Sequence, residues 1–209
     1  MLLADERLVR LIGVNSPELG KDGTPAEPLA WAARQYMNNL VAGKMVSLML
    51  EPEQHDRYGR LLAHVLLPDG RNAQALLLEQ GLASIVALPP NVGWLSRYQA
   101  AERIARANKR GIWGHPYYAP IPADQITAAQ TGFHFVRGRV NRIGNSKNYI
   151  YFNLSDRFAC MVSHSDWKYF SGEASALLGK SIEVSGWITK YNGELRLRVH
   201  HPAVLRVLN

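Results

Sequence analysis

Cysteine is almost absent from this sequence of 209 residues, which contains only Cys160. One cysteine can form no disulfide within the chain and no metal site built from several thiolates. It lies in the apolar stretch FACMVSH, where a thiol packs like a small hydrophobic side chain. Cys160 is therefore expected to be buried and inert, and cysteine usage does not distinguish a reducing from an oxidising compartment.

Long apolar runs are also missing. No stretch approaches the roughly 20 residues that a helix needs to cross a bilayer. The first residues, MLLADERLVR, reach charged side chains too early for a secretory signal. We therefore expect no membrane association, and a signal for export would lie outside this chain.

Acidic residues are scarce only in the second part of the chain. Up to Asp124 there are 13 Lys and Arg against 12 Asp and Glu, and after it 11 against 5. Most of the net charge of +7 thus follows Asp124. Such an excess predicts attraction to a polyanion, with nucleic acid first and an anionic membrane surface a distant second. A basic surface that serves only solubility is the alternative.

A proline-rich segment divides the chain where the charge changes. HPYYAPIPADQ, residues 115–125, is predicted to be a linker. In residues 1–114, strand patterns such as ERLVRLIGV, MVSLMLEP and RLLAHVLLPDGR alternate with helix patterns. Residues 126–209 are nearly all strand, with a hairpin signal at Asn192-Gly193 and a short helix predicted at ASALLG. The fold class predicted is α+β, with a small oligonucleotide-binding (OB) type β-barrel as the second domain.

Three helices are predicted in the first domain. PAEPLAWAARQYMNNLVAG gives an apolar stripe that includes Ala32, NAQALLLEQG begins at Asn72, and LSRYQAAERIARANKRG gives a stripe that includes Tyr98 and Ile104.

Two arginines beside bends suggest a phosphate clamp. Arg10 lies in VRLIGVNSPE, and Arg60 follows the Tyr58-Gly59 bend in HDRYGR. Two guanidinium groups can bind a phosphodiester and stabilise the charge that grows on it, while Glu18 deprotonates an attacking water. The alternative is that both arginines pair with carboxylates at strand ends.

The ordered set VRLIGVNSPE, EPLAWAA, DRYGRLLAHV, ALLLEQGLA and ARANKRGIWG resembles the staphylococcal nuclease-like (thermonuclease) family across residues 1–114. The resemblance implies a five-stranded OB-type barrel packed by helices, and hydrolysis of DNA or RNA with calcium. It implies catalytic roles for Arg10, Arg60 and Glu18, and phosphate contact by Tyr58, with Arg57 beside it as a further substrate-binding residue. Asn15 and Ser16 match calcium-ligating positions, and a secreted or periplasmic location is compatible with the family.

The chain departs from the family pattern in three places. The family's first strand and its Asp-Gly-Asp segment should precede LLADERLVRL, so that the first barrel is expected to be truncated and to expose an edge. Either the natural protein extends upstream, which we favour, or a second copy pairs with this edge to form a dimer. Asn15 is neutral where the family usually has an aspartate, which weakens calcium binding. Ala87 and Pro89 occupy the positions of two base-stacking tyrosines, for which Trp94 or Tyr98 could substitute.

Arginines and aromatics are interleaved in the second domain, which resembles an OB-like extension found after nuclease domains in some bacterial proteins. Alternate residues of a strand share a face, so the arginine pairs could contact phosphates while tyrosines stack on bases. The candidates for nucleic-acid binding are Arg137, Arg139, Tyr149, Tyr191, Arg196 and Arg198. The competing interpretation puts the aromatics in the core, and we favour it for Phe152, Phe158 and Trp187.

The sequence therefore predicts a nuclease that acts on single-stranded DNA or RNA. The alternative is a nucleic-acid-binding module on a degenerate nuclease fold without turnover. A protein-interaction scaffold is a third interpretation, which the basic second domain disfavours.

Overall fold

The computed structural model describes residues 1–20, 23–191 and 193–208. It divides into two compact units, Met1–Tyr117 and Tyr118–Asn209. None of the helices found in the described residues is long and apolar enough to cross a membrane. The fold is α+β, and the three α-helices that the described residues form all lie in the first unit, among mostly short strands.

The described part of the first unit contains five strands, three α-helices and a 3-10 turn at Gly111–Trp113. The strands are Val9–Leu11 (β1), Val14–Asn15 (β2), Ser47–Met49 (β3), Leu61–Leu66 (β4) and Ser84–Ile85 (β5), and the helices are Ala30–Val41 (α1), Ala73–Glu79 (α2) and Leu95–Ala107 (α3). The predicted opening of α2 is confirmed, since the Asn72 side chain accepts a hydrogen bond from the N–H of Ala75.

Two helix faces differ from the predicted stripes. Leu29 has a left-handed conformation, with φ of 68°, so α1 begins at Ala30, and Ala30 and Ala33 are buried while Ala32 is exposed. In α3, Tyr98 is fully buried as the stripe predicts, but Ile104 is 44% exposed. Both errors arise because the pattern alone does not fix where the neighbouring elements cover a helix.

The sheet of the first unit holds the two arginine segments side by side. β1 runs parallel to β4, and Arg10 lies opposite Leu62, so that Arg60, directly before β4, lies near Arg10 at the start of the neighbouring strand. β3 pairs with the other side of β4, and β2 pairs with β5. Gln74 of α2 fastens the sheet, because its side chain accepts from the N–H of Val65 at 3.0 Å and donates to the carbonyl of Ala63 at 3.0 Å.

The edge of β1 is not left as open as the sequence predicts. The N–H of Val9 donates to the carbonyl of Met1 at 2.7 Å, and Leu2 forms an antiparallel bridge with Leu8. The first residues turn back and satisfy part of the exposed backbone, which removes part of the reason to expect dimerisation through this edge.

The second unit is built of strands and short 3-10 turns. Its strands are Ile121–Pro122 (β6), Gly132–Arg139 (β7), Arg142–Asn145 (β8), Tyr149–Asn153 (β9), Phe158–Ser163 (β10), Ser181–Tyr191 (β11), Glu194–Arg198 (β12) and Leu205–Leu208 (β13). They pair in the order β6-β7-β11-β12-β10-β9-β8, with β13 also on β11. β10 and β12 are parallel. Two residues of the chain separate β7 from β8, although β7 is second and β8 is last in this strand order.

The structure of the second unit corrects some of the sequence predictions and agrees with others. The helix predicted at ASALLG is a 3-10 helix, Ala174–Leu177. Trp187 is 39% exposed instead of buried, whereas Phe152 and Phe158 lie in the core as expected. Cys160 is fully buried, and burial raises the pKa of its thiol. In the hairpin predicted at Asn192-Gly193, Asn192 lies outside the described residues, while Tyr191 pairs with Glu194.

Residues 115–125, predicted to be a linker, contain regular structure at two points. Pro116–Tyr118 forms a 3-10 turn, and β6 pairs in parallel with β7.

Candidate active site

An open cavity of about 510 Å³ brings together the three residues of the predicted phosphate clamp. Arg10 reaches it from β1, Glu18 from the segment after β2, and Arg60 from the start of β4. Helix α1 forms a further wall of this cavity through Ala30, Ala33, Arg34 and Met37. Residues that are 50 positions apart in the chain thus face one space.

Arg60 is held by the turn that precedes it. Gly59 has φ of 76°, and the Asp56 carboxylate accepts from the N–H groups of Tyr58 and Arg60 at 2.9 and 3.0 Å. The same carboxylate accepts from Nε of Arg60 at 2.6 Å. Burial acts to raise the pKa of Asp56, but the hydrogen bonds from Arg60 outweigh it and the pKa lies below its usual value. The guanidinium is therefore oriented, as the alternative interpretation expected for this residue.

Arg10 differs, because its guanidinium has no hydrogen bond or ion pair among the described residues. It is half-buried, and burial, followed by the positive charge of Arg60, lowers its pKa. Asp56 and Glu18 are near enough to oppose that effect. A half-buried guanidinium without a carboxylate partner retains all its donors for an anion.

The main chain at Glu18 is fixed while its carboxylate is exposed. Its N–H donates to the Glu27 carboxylate at 2.8 Å, and its carbonyl accepts from the N–H of Glu27 at 2.9 Å. The Glu18 carboxylate has no hydrogen bond within the described part of the chain. It can therefore approach a water or a cation at the cavity.

The predicted metal positions supply few oxygen atoms. Asn15 and Ser16 line the cavity with neutral side chains, and Glu18 contributes the one carboxylate among the described lining residues. No group of three His, Cys, Asp or Glu able to hold a metal ion occurs in the described ranges. Calcium takes six to eight oxygen ligands, so this set fits it incompletely.

Tyr58 and Arg57 form an exposed pair beside the clamp. An Arg57 guanidinium nitrogen donates to the Tyr58 hydroxyl at 2.7 Å, and its central carbon lies 4.8 Å from the ring centroid. Arg60 lies 5.5 Å from the same ring. Tyr58, which is 68% exposed, therefore lies next to both Arg57 and Arg60.

The suggested replacements for the base-stacking tyrosines are occupied elsewhere. Tyr98 is buried and its hydroxyl lies 2.5 Å from Nδ1 of His64, whose Nε2 lies 2.7 Å from the Glu51 carboxylate. Trp94 stacks on His64 at 5.0 Å. Ala87 is buried. Tyr98 is therefore not available to a base, and Trp94 already stacks on His64.

Sequence reasoning missed two residues of α1. Arg34 lines the cavity, and Trp31, which is 64% exposed, lies one turn before it with the Arg34 guanidinium 5.5 Å from its ring. The signal was present in EPLAWAARQ, since residues three apart share a helix face. A tryptophan and an arginine on an exposed helix face can stack on a base and contact a phosphate.

The basic residues predicted in the second unit have different surroundings. Arg137 donates to the Glu183 carboxylate at 3.0 Å and Arg139 to the carbonyl of Gly179 at 3.0 Å, both from β7. Arg196 and Arg198 instead lie on β12, close to tyrosines. Arg196 lies near the rings of Tyr151 and Tyr191, and Arg198 lies near the ring of Tyr149.

Comparison with known proteins finds one matching family and several relatives. The family described as "Staphylococcal nuclease homologue" matches residues 8–115. The thermonuclease of Staphylococcus intermedius is 37% identical over 52% of this chain and 64% of its own length, and that of Staphylococcus hyicus is 32% identical over 51% and 63%. Endonuclease YncB of Bacillus subtilis (strain 168) is 32% identical over 53% of each chain. The chain thus spans less than two thirds of the length of these relatives.

Proposed function

Because the chain belongs to the staphylococcal nuclease homologue family, we propose that its first unit hydrolyses phosphodiester bonds of single-stranded DNA or RNA. The observation that carries the proposal is the cavity where Arg10, oriented Arg60 and exposed Glu18 converge, with no partner for Arg10 among the described residues. The relatives' names, thermonuclease and endonuclease, support the same activity.

The proposed reaction is attack by water on phosphorus. Glu18 takes a proton from the water as its oxygen bonds to phosphorus, and the bond from phosphorus to the leaving oxygen breaks. Arg10 and Arg60 donate hydrogen bonds to the phosphoryl oxygens, where negative charge grows. Asp56 positions Arg60 before substrate binds, so little reorganisation is needed at the transition state.

The substrate contacts proposed beyond the clamp are Tyr58 with Arg57 on one side and Trp31 with Arg34 on the other. The Tyr58 hydroxyl can donate to a phosphate oxygen, and Arg34 can contact a neighbouring phosphate. Trp31 would stack on a base, which takes over the role that Ala87 and Pro89 cannot fill.

Calcium, when bound, supplies positive charge beside the scissile phosphate. Glu18, Asn15 and Ser16 are the residues proposed to hold it, through one carboxylate and neutral oxygens.

The neutral Asn15 favours a second candidate, a nucleic-acid-binding module without turnover on the same fold. It shares the phosphate clamp with the nuclease, since Arg10 and Arg60 bind a phosphodiester whether or not it is cleaved.

The test is cleavage of labelled single-stranded DNA and RNA with calcium. Replacing Glu18 by Gln removes the base, so the cleavage rate is expected to fall at least 100-fold with binding retained, and Arg10→Ala should cause about a 100-fold loss in rate. Arg103→Ala, an exposed arginine of α3 away from the cavity, is the matched control and should keep the parental rate.

Cleavage by Glu18→Gln at the parental rate would contradict the proposed mechanism. If the parental chain binds single strands in a salt-sensitive way but never cleaves them, the second candidate is correct.

A further inference from the structure

Five side chains form a basic aromatic surface on the sheet of the second unit. They are Tyr149 and Tyr151 on β9, Tyr191 on β11, and Arg196 and Arg198 on β12. We call this set the tyrosine–arginine face. It lies in the part of the chain outside the matched family region.

The strand register puts these side chains on the outer side of the sheet. Phe152, Cys160 and Leu197 lie side by side on β9, β10 and β12 and are fully buried. Side chains alternate between the two faces of a strand, so their neighbours Tyr151, Met161 and Arg198 form the next row on the opposite face. The face therefore follows from the pairing and not from individual rotamers.

The two arginines of β12 lie close to tyrosines on β9, on the far side of β10, and to Tyr191 on the adjacent β11. The Arg196 guanidinium carbon is 5.2 Å from the Tyr151 ring and 5.0 Å from the Tyr191 ring, and that of Arg198 is 5.5 Å from the Tyr149 ring. Ala159 of β10, directly beside Arg196, has a small side chain that leaves this route open. Guanidinium and aromatic planes thus alternate across three strands.

Carboxylates near the face leave donors free. Arg196 donates to Glu194 at 2.7 Å, and Arg198 contacts Asp166 at 3.4 Å. A guanidinium has five N–H donors, so one carboxylate does not exhaust it. The excess of basic residues after Asp124 adds a general attraction for polyanions.

We propose that the tyrosine–arginine face binds single-stranded nucleic acid. Phosphates pair with the guanidinium groups and bases stack on the tyrosine rings, which only an unpaired strand offers to a sheet surface. The face includes Tyr151, which was not among the predicted nucleic-acid-binding candidates, and does not include Arg137 and Arg139, which lie on β7. This binding goes beyond the proposed nuclease activity, because it requires no cleavage.

The experiment measures binding by the full chain in excess chelator, which prevents calcium-assisted cleavage. The probe is a fluorescein-labelled single strand of about 16 nucleotides, as DNA and as RNA, read by anisotropy. Tyr151→Ala should weaken binding about tenfold, whereas Tyr151→Phe, which keeps the ring, should stay within twofold of the parent. Arg198→Ala should also weaken binding and lower the salt slope by about 1.

Arg206→Ala is the matched control, since it removes the same charge from β13 of this unit, where Arg206 contacts Glu183 at 3.2 Å, and it should change affinity less than twofold. The measurements are repeated in an Arg10→Ala background, where the losses from the face should persist even if the nuclease proposal fails. Equal affinity of Tyr151→Ala and Tyr151→Phe, or an equal loss from Arg206→Ala and Arg198→Ala, would overturn the proposal. If Tyr151→Ala does not fold, as judged by its melting curve, Arg198→Gln carries the test.

Discussion

The two clamp arginines are prepared in different ways. Arg60 is held by Asp56 through its side chain and its backbone N–H, which costs it part of its free hydrogen-bonding capacity but fixes its direction. Arg10 has no such partner in the described chain and relies on β1 and on burial. A fixed guanidinium and an uncommitted one can together bind a phosphate without a large loss of side-chain entropy.

Replacement of the neutral Asn15 by aspartate should increase the affinity of the cavity for calcium. Asn15→Asp adds a second carboxylate beside Glu18, and calcium affinity rises with the number of charged ligands. We expect at least a tenfold increase in calcium affinity, measured by titration calorimetry without nucleic acid.

The comparison for that measurement is Asn38→Asp, which adds the same charge on an exposed position of α1 away from the cavity. An unchanged calcium affinity in Asn15→Asp would show that Asn15 does not face a cation site.

Among the elements, α1 has a role that its composition does not reveal. Its buried side, with Ala30 and Ala33, packs closely because the side chains are small, and this brings Arg34 to the cavity. Its exposed side carries Trp31, three residues before Arg34. One helix therefore shapes the cavity wall and extends the surface available to a nucleic acid.

Trp31→Ala tests this extension. Loss of a stacking platform should raise KM about tenfold and leave kcat close to the parental value, because a base distant from the reacting phosphate contributes uniform binding. Trp31→Phe should recover most of the affinity. Met45→Ala, which truncates an 88% exposed apolar side chain away from the cavity, should change neither constant. A fall in kcat alone would contradict the proposed platform.

For the whole molecule, three histidines with lowered pKa set the response to acid. Burial is the main cause for His64, His200 and His201, although Glu51 opposes it at His64 and Asp166 at His200. His201 also has a geometric reason to stay neutral, since its Nδ1 accepts the N–H of Ala203 at 3.1 Å.

Stability is therefore expected to fall as the pH drops. A histidine with a lowered folded pKa is protonated more readily in the unfolded chain, so its contribution is complete above about 6.5, the unfolded pKa, and is lost toward its folded pKa. The melting temperature should decrease from pH 7.5 to pH 5, as measured by circular dichroism.

His201→Asn keeps a side-chain acceptor for Ala203 and should flatten part of this dependence, whereas His55→Asn, at an exposed histidine, should not. A melting temperature that rises on acidification would contradict the lowered pKa values.

The sequence by itself determined the α+β class, the family and much of the local structure. Asn72 opens α2 because its side chain can cap the helix, and Gly59 follows Tyr58 because the turn before Arg60 needs a positive φ. Such local features depend on a few adjacent residues, whereas the order of the motifs along the chain indicates the family and the fold class.

Only the tertiary structure decided which side chains share a surface. The sequence could not show that Asp56 orients Arg60 while Arg10 has no partner in the described part of the chain, nor that Tyr98 is hydrogen-bonded to His64. It also placed Trp187 in the core and gave Tyr149 and Tyr191, but not Tyr151, as binding candidates, because alternation identifies two faces of a strand without saying which neighbours cover each. Register and packing between distant segments answer that question, since they depend on every strand at once.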